Sequence, residues 1–177
     1  MIDIFAAAGL VKPDISVLYD EFLAEVRGLP QRNLAVELLQ KLLHGELAVR
    51  RRKNVVQARS FAVMLERTLR KYRNRAIEVT QVIEDLIGIA RDMRVAADRG
   101  VALGLTEDEL AFYDVLETND VAVDGLGDAT LRRIARESVE TVRENVSIDW
   151  TLCESVGAPL RVLVKRILRR HGYPPGK

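Results

Sequence analysis

The sequence predicts an all-α protein, an irregular multi-helix bundle of about six helices with one long central helix and essentially no strand. Three observations lead there. Apolar residues recur at three- and four-residue spacing along most of the chain. No segment sustains the period-two alternation of a half-buried strand. The composition agrees: five prolines and 5% aromatics accompany abundant Leu, Ala, Glu and Arg, and these four lose little on entering a helix. A chain of 177 residues is long enough to bury a core, and is expected to form one helical domain spanning 1–177.

The elements follow from local signals. Asp14 or Ser16 can cap a first helix carrying Ile15, Leu18, Phe22 and Val26, with Gly28 and Pro30 ending it. A second, short helix carries Leu34, Leu38, Leu39, Leu42 and Leu43, and Gly45 marks a break. The long central helix then runs from about Glu46 to Arg73. At about 100° per residue, Ala58, Phe61, Ala62, Leu65, Thr68, Leu69 and Tyr72 share one side of it, and Arg52, Arg59, Arg67, Arg70 and Arg73 form a basic stripe opposite. Asn74-Arg75-Ala76-Ile77-Glu78 is expected to continue or bend the helix and bring an Asn, an Arg and a Glu together, either as a buried polar network or with Arg75 as a partner contact.

The next helix carries Ile77, Val82, Ile83, Leu86, Ile87, Ala90 and Met93 and fades into a turn at Gly100. Thr106 and Glu109 then form a capping box, with Leu105 placed to staple onto Leu110, opening a helix through Glu117 that turns Tyr113 and Leu116 inward. Asp124-Gly-Leu-Gly-Asp128 reads as a turn whose last residue caps a helix through Leu131, Ile134, Ala135, Ser138 and Val142. A second capping box, Thr151 and Glu154, opens a last helix through Val156, Leu160, Leu163 and Ile167, stopped by Gly172 and Pro174. Pro159 implies a kink there or a later start.

Catalytic chemistry has little to build on. His44 and His171 stand far apart with no Cys or His at ligand spacing, which argues against a zinc site. Cys153 follows a helix cap but has no base nearby in sequence. Asp120, Asp124 and Asp128 do not follow a calcium-loop pattern, and Glu84-Asp85 and Glu107-Asp108-Glu109 fit exposed faces or a first helical turn. No phosphate-binding loop, nucleophile elbow or kinase signature occurs. The chain is therefore expected to be non-catalytic and to carry no cofactor or metal. One cysteine permits no intrachain disulfide, and neither a signal peptide nor a spanning segment is visible, so a reducing, cytoplasmic setting without membrane contact is expected.

Charge is more informative. The net charge is +1, yet residues 1–45 sum to −2, 46–75 to +8, 76–128 to −10 and 129–177 to +5. Such blocks suit oppositely charged surfaces, unless basic and acidic helices simply lie side by side. Arg50-Arg51-Arg52-Lys53 are consecutive and point all around a helix, so they cannot all be buried. Candidate partner or DNA contacts are Arg51, Arg52, Arg59, Arg67, Arg70 and Arg75, joined by Lys165, Arg166 and Arg169 of the last helix. A solvated face is the plainer reading of the same residues. Phe61 and Tyr72 fall with the core, leaving no aromatic platform for single strands. Trp150 is expected at a packed corner between helices.

Several segments taken together resemble one family. KPDIS (12–16), RKNVVQARSF (52–61), NRAIE (74–78), LTEDELAFYD (105–114), LGD (126–128), IARE (134–137) and NVSIDW (145–150) occur in its order and at its separations, across almost the whole chain. The sequence is similar to the C-terminal helical domain of the restriction (R) subunit of type I restriction-modification enzymes. After NVSIDW it departs from the family pattern, with Cys153 and Gly157 in place of basic residues and Pro159 added, which implies an altered last helix. The resemblance implies a large parent protein that joins a nuclease domain and an ATP- and magnesium-dependent DNA motor to this domain. It implies partners in the methyltransferase and specificity subunits and in the motor domains of the R subunit, with double-stranded DNA as an alternative contact. None of the nuclease or motor motifs falls in this chain, so the implied role is docking.

Overall fold

A computed structural model of the protein describes residues 20–145 and 157–174. Among these the chain is all α: eight helices and no strand. The expected caps at Asp14 and Ser16, Trp150, Cys153 and the Thr151–Glu154 box lie outside the described residues. The helices are α1 (Asp20–Gly28), α2 (Arg32–Lys53), α3 (Val55–Arg73), α4 (Val79–Leu103), α5 (Glu107–Glu117), α6 (Asp120–Leu126), α7 (Asp128–Asn145) and α8 (Gly157–Arg170). They form two compact units, Met1–Arg99 and Gly100–Lys177, with the division falling inside α4.

The first unit has one apolar core. Leu23 and Val26 of α1, Ala35, Val36, Leu39 and Leu43 of α2, Phe61, Leu65 and Leu69 of α3, and Val82 to Met93 of α4 supply it. Burying these branched side chains from four amphipathic helices is the main stabilising contribution, on the order of 2 kcal/mol for each fully buried Leu or Ile.

The long central helix of the sequence reading does not exist as one element. The chain runs through Gly45 without interruption and breaks at Asn54, which ends α2 and caps α3. Gly45 costs α2 about 1 kcal/mol relative to alanine, which the burial of Leu39 and Leu43 upstream and the Arg50 contacts downstream outweigh. At Asn54 the backbone turns extended (φ −141°, ψ 97°), its N–H donates to the Arg50 carbonyl at 2.8 Å, and its Oδ1 accepts from the Gln57 N–H at 3.1 Å. Asparagine competes with helical backbone for such hydrogen bonds. α2 and α3 thus form a helical hairpin, closed at its far end by a Tyr72 hydroxyl that donates to Asn33 at 3.2 Å. Asn54→Ala should lower stability by about 1 kcal/mol, read as an earlier urea midpoint with unchanged helicity.

Asp20 ties α1 to α4 by accepting from Arg94 at 2.8 Å and Arg91 at 3.2 Å. The hydrogen bond from Arg94, helped by Arg91, holds its carboxyl below the ordinary carboxylate range against the opposing effect of desolvation. A depressed folded pKa contributes stability above the unfolded value and loses it as pH falls through the folded one. Asp20→Asn should therefore reduce the acid sensitivity of the melting temperature below about pH 4 and leave its slope at neutral pH unchanged.

The second unit surrounds Leu105, Leu110, Tyr113, Leu116, Ala122, Leu131, Ile134, Ala135 and Ile167. The capping box forms as expected: the Thr106 N–H donates to Glu109 Oε2 at 2.8 Å and the Glu109 N–H to Thr106 Oγ1 at 3.4 Å. Leu105 and Leu110 are both buried beside it. Two boundaries differ from expectation. Gly100 is buried within α4, where a Cβ would come 3.1 Å from the Leu105 carbonyl oxygen, and the turn occurs at Gly104 with φ 64°. Residues 120–126 form the short helix α6, because Asn119 accepts from the Ala122 N–H and caps it. Asp128 then stands inside α7 rather than before it, and its carboxylate takes the Tyr113 hydroxyl at 2.5 Å and pairs with Arg132. Pro159 stands third in α8, in the first turn, where its missing N–H has no intrahelical acceptor to forgo.

Candidate partner-binding site

The hairpin fixes where the basic block goes. Arg50 turns inward: only 8% exposed, its guanidinium donates to Gln57 of α3 at 3.1 Å, to Glu46 at 3.1 Å and to the Met93 carbonyl of α4 at 2.9 Å, and stacks over Phe61 at 5.6 Å. It is a structural clamp between three helices. Arg51, Arg52 and Lys53 remain exposed. Consecutive helical residues point about 100° apart, so burying one leaves its neighbours outside.

On α3 the apolar positions Ala58, Phe61, Leu65 and Leu69 face the core. Flanking that face, Val55, Arg59, Ala62, Val63, Glu66, Arg67 and Arg70 line one groove together with Arg51 from the end of α2. A second groove shares Arg51, Ala62 and Glu66 and continues over His44, Leu47 and Ala48 of α2. Alanines 48, 58 and 62 leave the space between the two helices open.

Two properties mark this groove as a candidate site. First, among the described residues Arg51, Arg59, Arg67 and Arg70 have no carboxylate partner, and the only acid lining the groove, Glu66, is paired with Arg73 at 3.4 Å. Elsewhere several arginines are matched, Arg27 with Glu84, Arg91 and Arg94 with Asp20, Arg143 with Asp108 and Arg170 with Glu137, whereas the exposed Arg133, Arg161, Arg166 and Arg169 of the second unit also lack a carboxylate partner among the described residues. Second, the groove is apolar as well as basic. Val55, 57% exposed, and Val63, 64% exposed, both line it, with Ala62 between them.

The other candidates are placed apart from it. Arg52 is exposed but does not line the groove. Lys165, Arg166 and Arg169 are exposed on α8 in the second unit. Arg75 stands in the loop between α3 and α4, where the expected polar network is absent: Asn74, Arg75 and Glu78 are all exposed. Arg75 is thus exposed, as the other of the two alternatives requires, because α3 terminates here. The Ala76 N–H donates to the Lys71 carbonyl and the Arg75 N–H to that of Tyr72, a Schellman closure with Arg75 left-handed at φ 53°. α4 and α8 end with the same hydrogen-bond pattern, but with Gly104 and Gly172 in the left-handed position. An L-residue there costs about 1 kcal/mol. Arg75→Gly should therefore stabilise the chain by about 1 kcal/mol, seen as a rise in melting temperature.

The acidic clusters have structural partners. Glu84 pairs with Arg27, Asp85 accepts from Gln81 at 2.7 Å, Asp108 pairs with Arg143 and Glu109 completes the capping box. His171 lies 2.6 Å from Glu137, and the Tyr173 hydroxyl donates to the Leu116 carbonyl at 2.9 Å, its pKa raised by burial. No group of His, Cys, Asp and Glu suited to a metal occurs among the described residues. No helix there is long and apolar enough to cross a membrane. Sequence reasoning found the stripe of arginines but missed the exposed valines within it, although Val55, Val63 and the arginines share one helical face by spacing alone.

Known proteins give these observations a context. Residues 1–177 match the family model described as type I restriction enzyme HindI endonuclease subunit-like, C-terminal. The chain is similar to the type I restriction enzyme HindI endonuclease subunit of Haemophilus influenzae, with 37% identity over 177 residues, 100% of this chain and 17% of that protein. It is also similar to the putative type I restriction enzyme MjaIXP endonuclease subunit of Methanocaldococcus jannaschii, with 33% identity over 175 residues, 97% of this chain and 16% of that protein. No solved structure matches. The chain thus spans about a sixth of the length of these relatives. It belongs to the family of C-terminal domains of HindI-like type I restriction enzyme endonuclease subunits.

Proposed function

We propose that this chain is a non-catalytic docking module, which holds the nuclease and motor parts of a type I restriction enzyme R subunit against the methyltransferase–specificity core. The observation that carries this reading is the α2–α3 groove, where four arginines with no carboxylate partner among the described residues surround exposed valines. Interfaces that hold protein subunits combine buried apolar centres with arginine at high frequency. Charge complementarity would then set orientation and encounter rate, and the apolar floor would supply affinity.

The same arginines also favour a second reading, in which the groove guides duplex DNA independently of sequence. Phosphate contacts would leave Val55 and Val63 without an apolar partner and bring Glu66 close to like charge, so protein is the better-fitting occupant. Co-purification with the cognate methyltransferase–specificity complex, at low and high salt and without DNA, tests the choice. A roughly stoichiometric complex that persists in high salt is expected for docking. Binding to duplex DNA alone, lost steeply with salt, would overturn it.

A further inference from the structure

Resting on the docking reading, we infer that the groove seats a single α-helix of the methyltransferase–specificity core, one whose apolar ridge is flanked by aspartate and glutamate. The groove's dimensions suit a helix. Arg59 to Arg70 extends along α3 for about 16 Å, or three helical turns. Arg59, Val63, Arg67 and Arg70 follow one another at four-, four- and three-residue steps, the spacing of one helical ridge.

The groove's chemistry restricts that helix further. Val55, Ala62 and Val63 provide an apolar strip, with small Ala62 allowing close backbone approach, so the facing ridge is apolar. Arg51, Arg59, Arg67 and Arg70 carry four positive charges with no carboxylate among the described residues to neutralise them. Glu66 is held by Arg73, so it takes none of them. The facing helix therefore places carboxylates on both sides of its apolar ridge, where each can take a charge-assisted hydrogen bond. A purely acidic segment would leave the valines uncovered, and a purely apolar helix would bury unpaired guanidinium groups; both cost affinity.

Hydrogen–deuterium exchange on the purified core complex, with and without the full chain, locates the helix. The expected result is new protection concentrated in one helical segment of the core, with apolar residues at three- and four-residue spacing and Asp or Glu beside them. Val63→Asp and Arg67→Glu, both on exposed positions, should each remove that protection and weaken binding roughly tenfold or more. Arg133→Glu, exposed on α7, should change neither. Protection confined to segments without carboxylates, or unchanged binding by Val63→Asp and Arg67→Glu, overturns the inference while the docking reading stands. Displacement of the core by a short DNA duplex overturns it in favour of phosphate. Failure of the unmodified chain to form any complex strikes the docking reading itself, and this inference with it.

Discussion

Replacing Arg50 with alanine should destabilise the protein by about 3 kcal/mol, enough to lower the melting temperature markedly. The guanidinium is buried and donates to three groups on α2, α3 and α4 while covering the Phe61 ring. Its removal leaves the Met93 carbonyl and the Gln57 amide without their charged donor and opens space beside an aromatic ring. Arg50→Met keeps most of the volume and loses the hydrogen bonds, so it should fall between wild type and alanine. Thermal denaturation followed by circular dichroism ranks the three. Arg51→Ala and Arg52→Ala, on exposed neighbours, should shift the melting curve little. Among three consecutive arginines, one holds the fold together and two face outward.

Reversing Arg59 and Arg67 together should weaken binding to the methyltransferase–specificity core roughly a hundredfold. The double variant Arg59→Glu/Arg67→Glu changes two exposed side chains that have no carboxylate partner among the described residues. No native ion pair is broken, so the melting curve should be preserved. Like-charge opposition replaces attraction at two positions two turns apart. Most of the loss should appear as faster dissociation, with a smaller reduction in association that salt suppresses. Biolayer interferometry on immobilised core, at two ionic strengths, separates the two contributions.

Much of the fold could be read from the chain, and the exception at Asn54 explains why the rest could not. Buried or core-facing positions run Leu43, Leu47, Arg50, Asn54, Ala58, Phe61, Leu65 and Leu69, all at three- or four-residue steps. The pattern stays in phase straight through the reversal, so periodicity alone describes one long helix. Only the asparagine side chain marks the break, through a hydrogen bond to the Gln57 N–H. Thr106 and Glu109 were legible for the opposite reason, because a capping box states its geometry in the local sequence.

The same distinction runs through the candidate site. The arginine face of α3 followed from helical geometry, and the family resemblance of the full chain agreed with the match to HindI-like C-terminal domains. Which of the consecutive basic residues would turn inward did not follow, since it depends on Met93, some forty residues away. Nor did the left-handed backbone of Arg75, where sequence preference alone would favour glycine.

Docking of protein through the α2–α3 groove is the proposal with the widest consequences. Isothermal titration of the chain into its cognate methyltransferase–specificity complex tests it most directly, repeated with Arg59→Glu/Arg67→Glu, with Lys165→Glu/Arg166→Glu, and with excess duplex DNA. Saturable binding by the unmodified chain, not competed away by duplex, is the expected result. The groove variant should bind roughly a hundredfold more weakly, and the α8 variant should resemble wild type. A groove variant that titrates like the unmodified chain would contradict the claim.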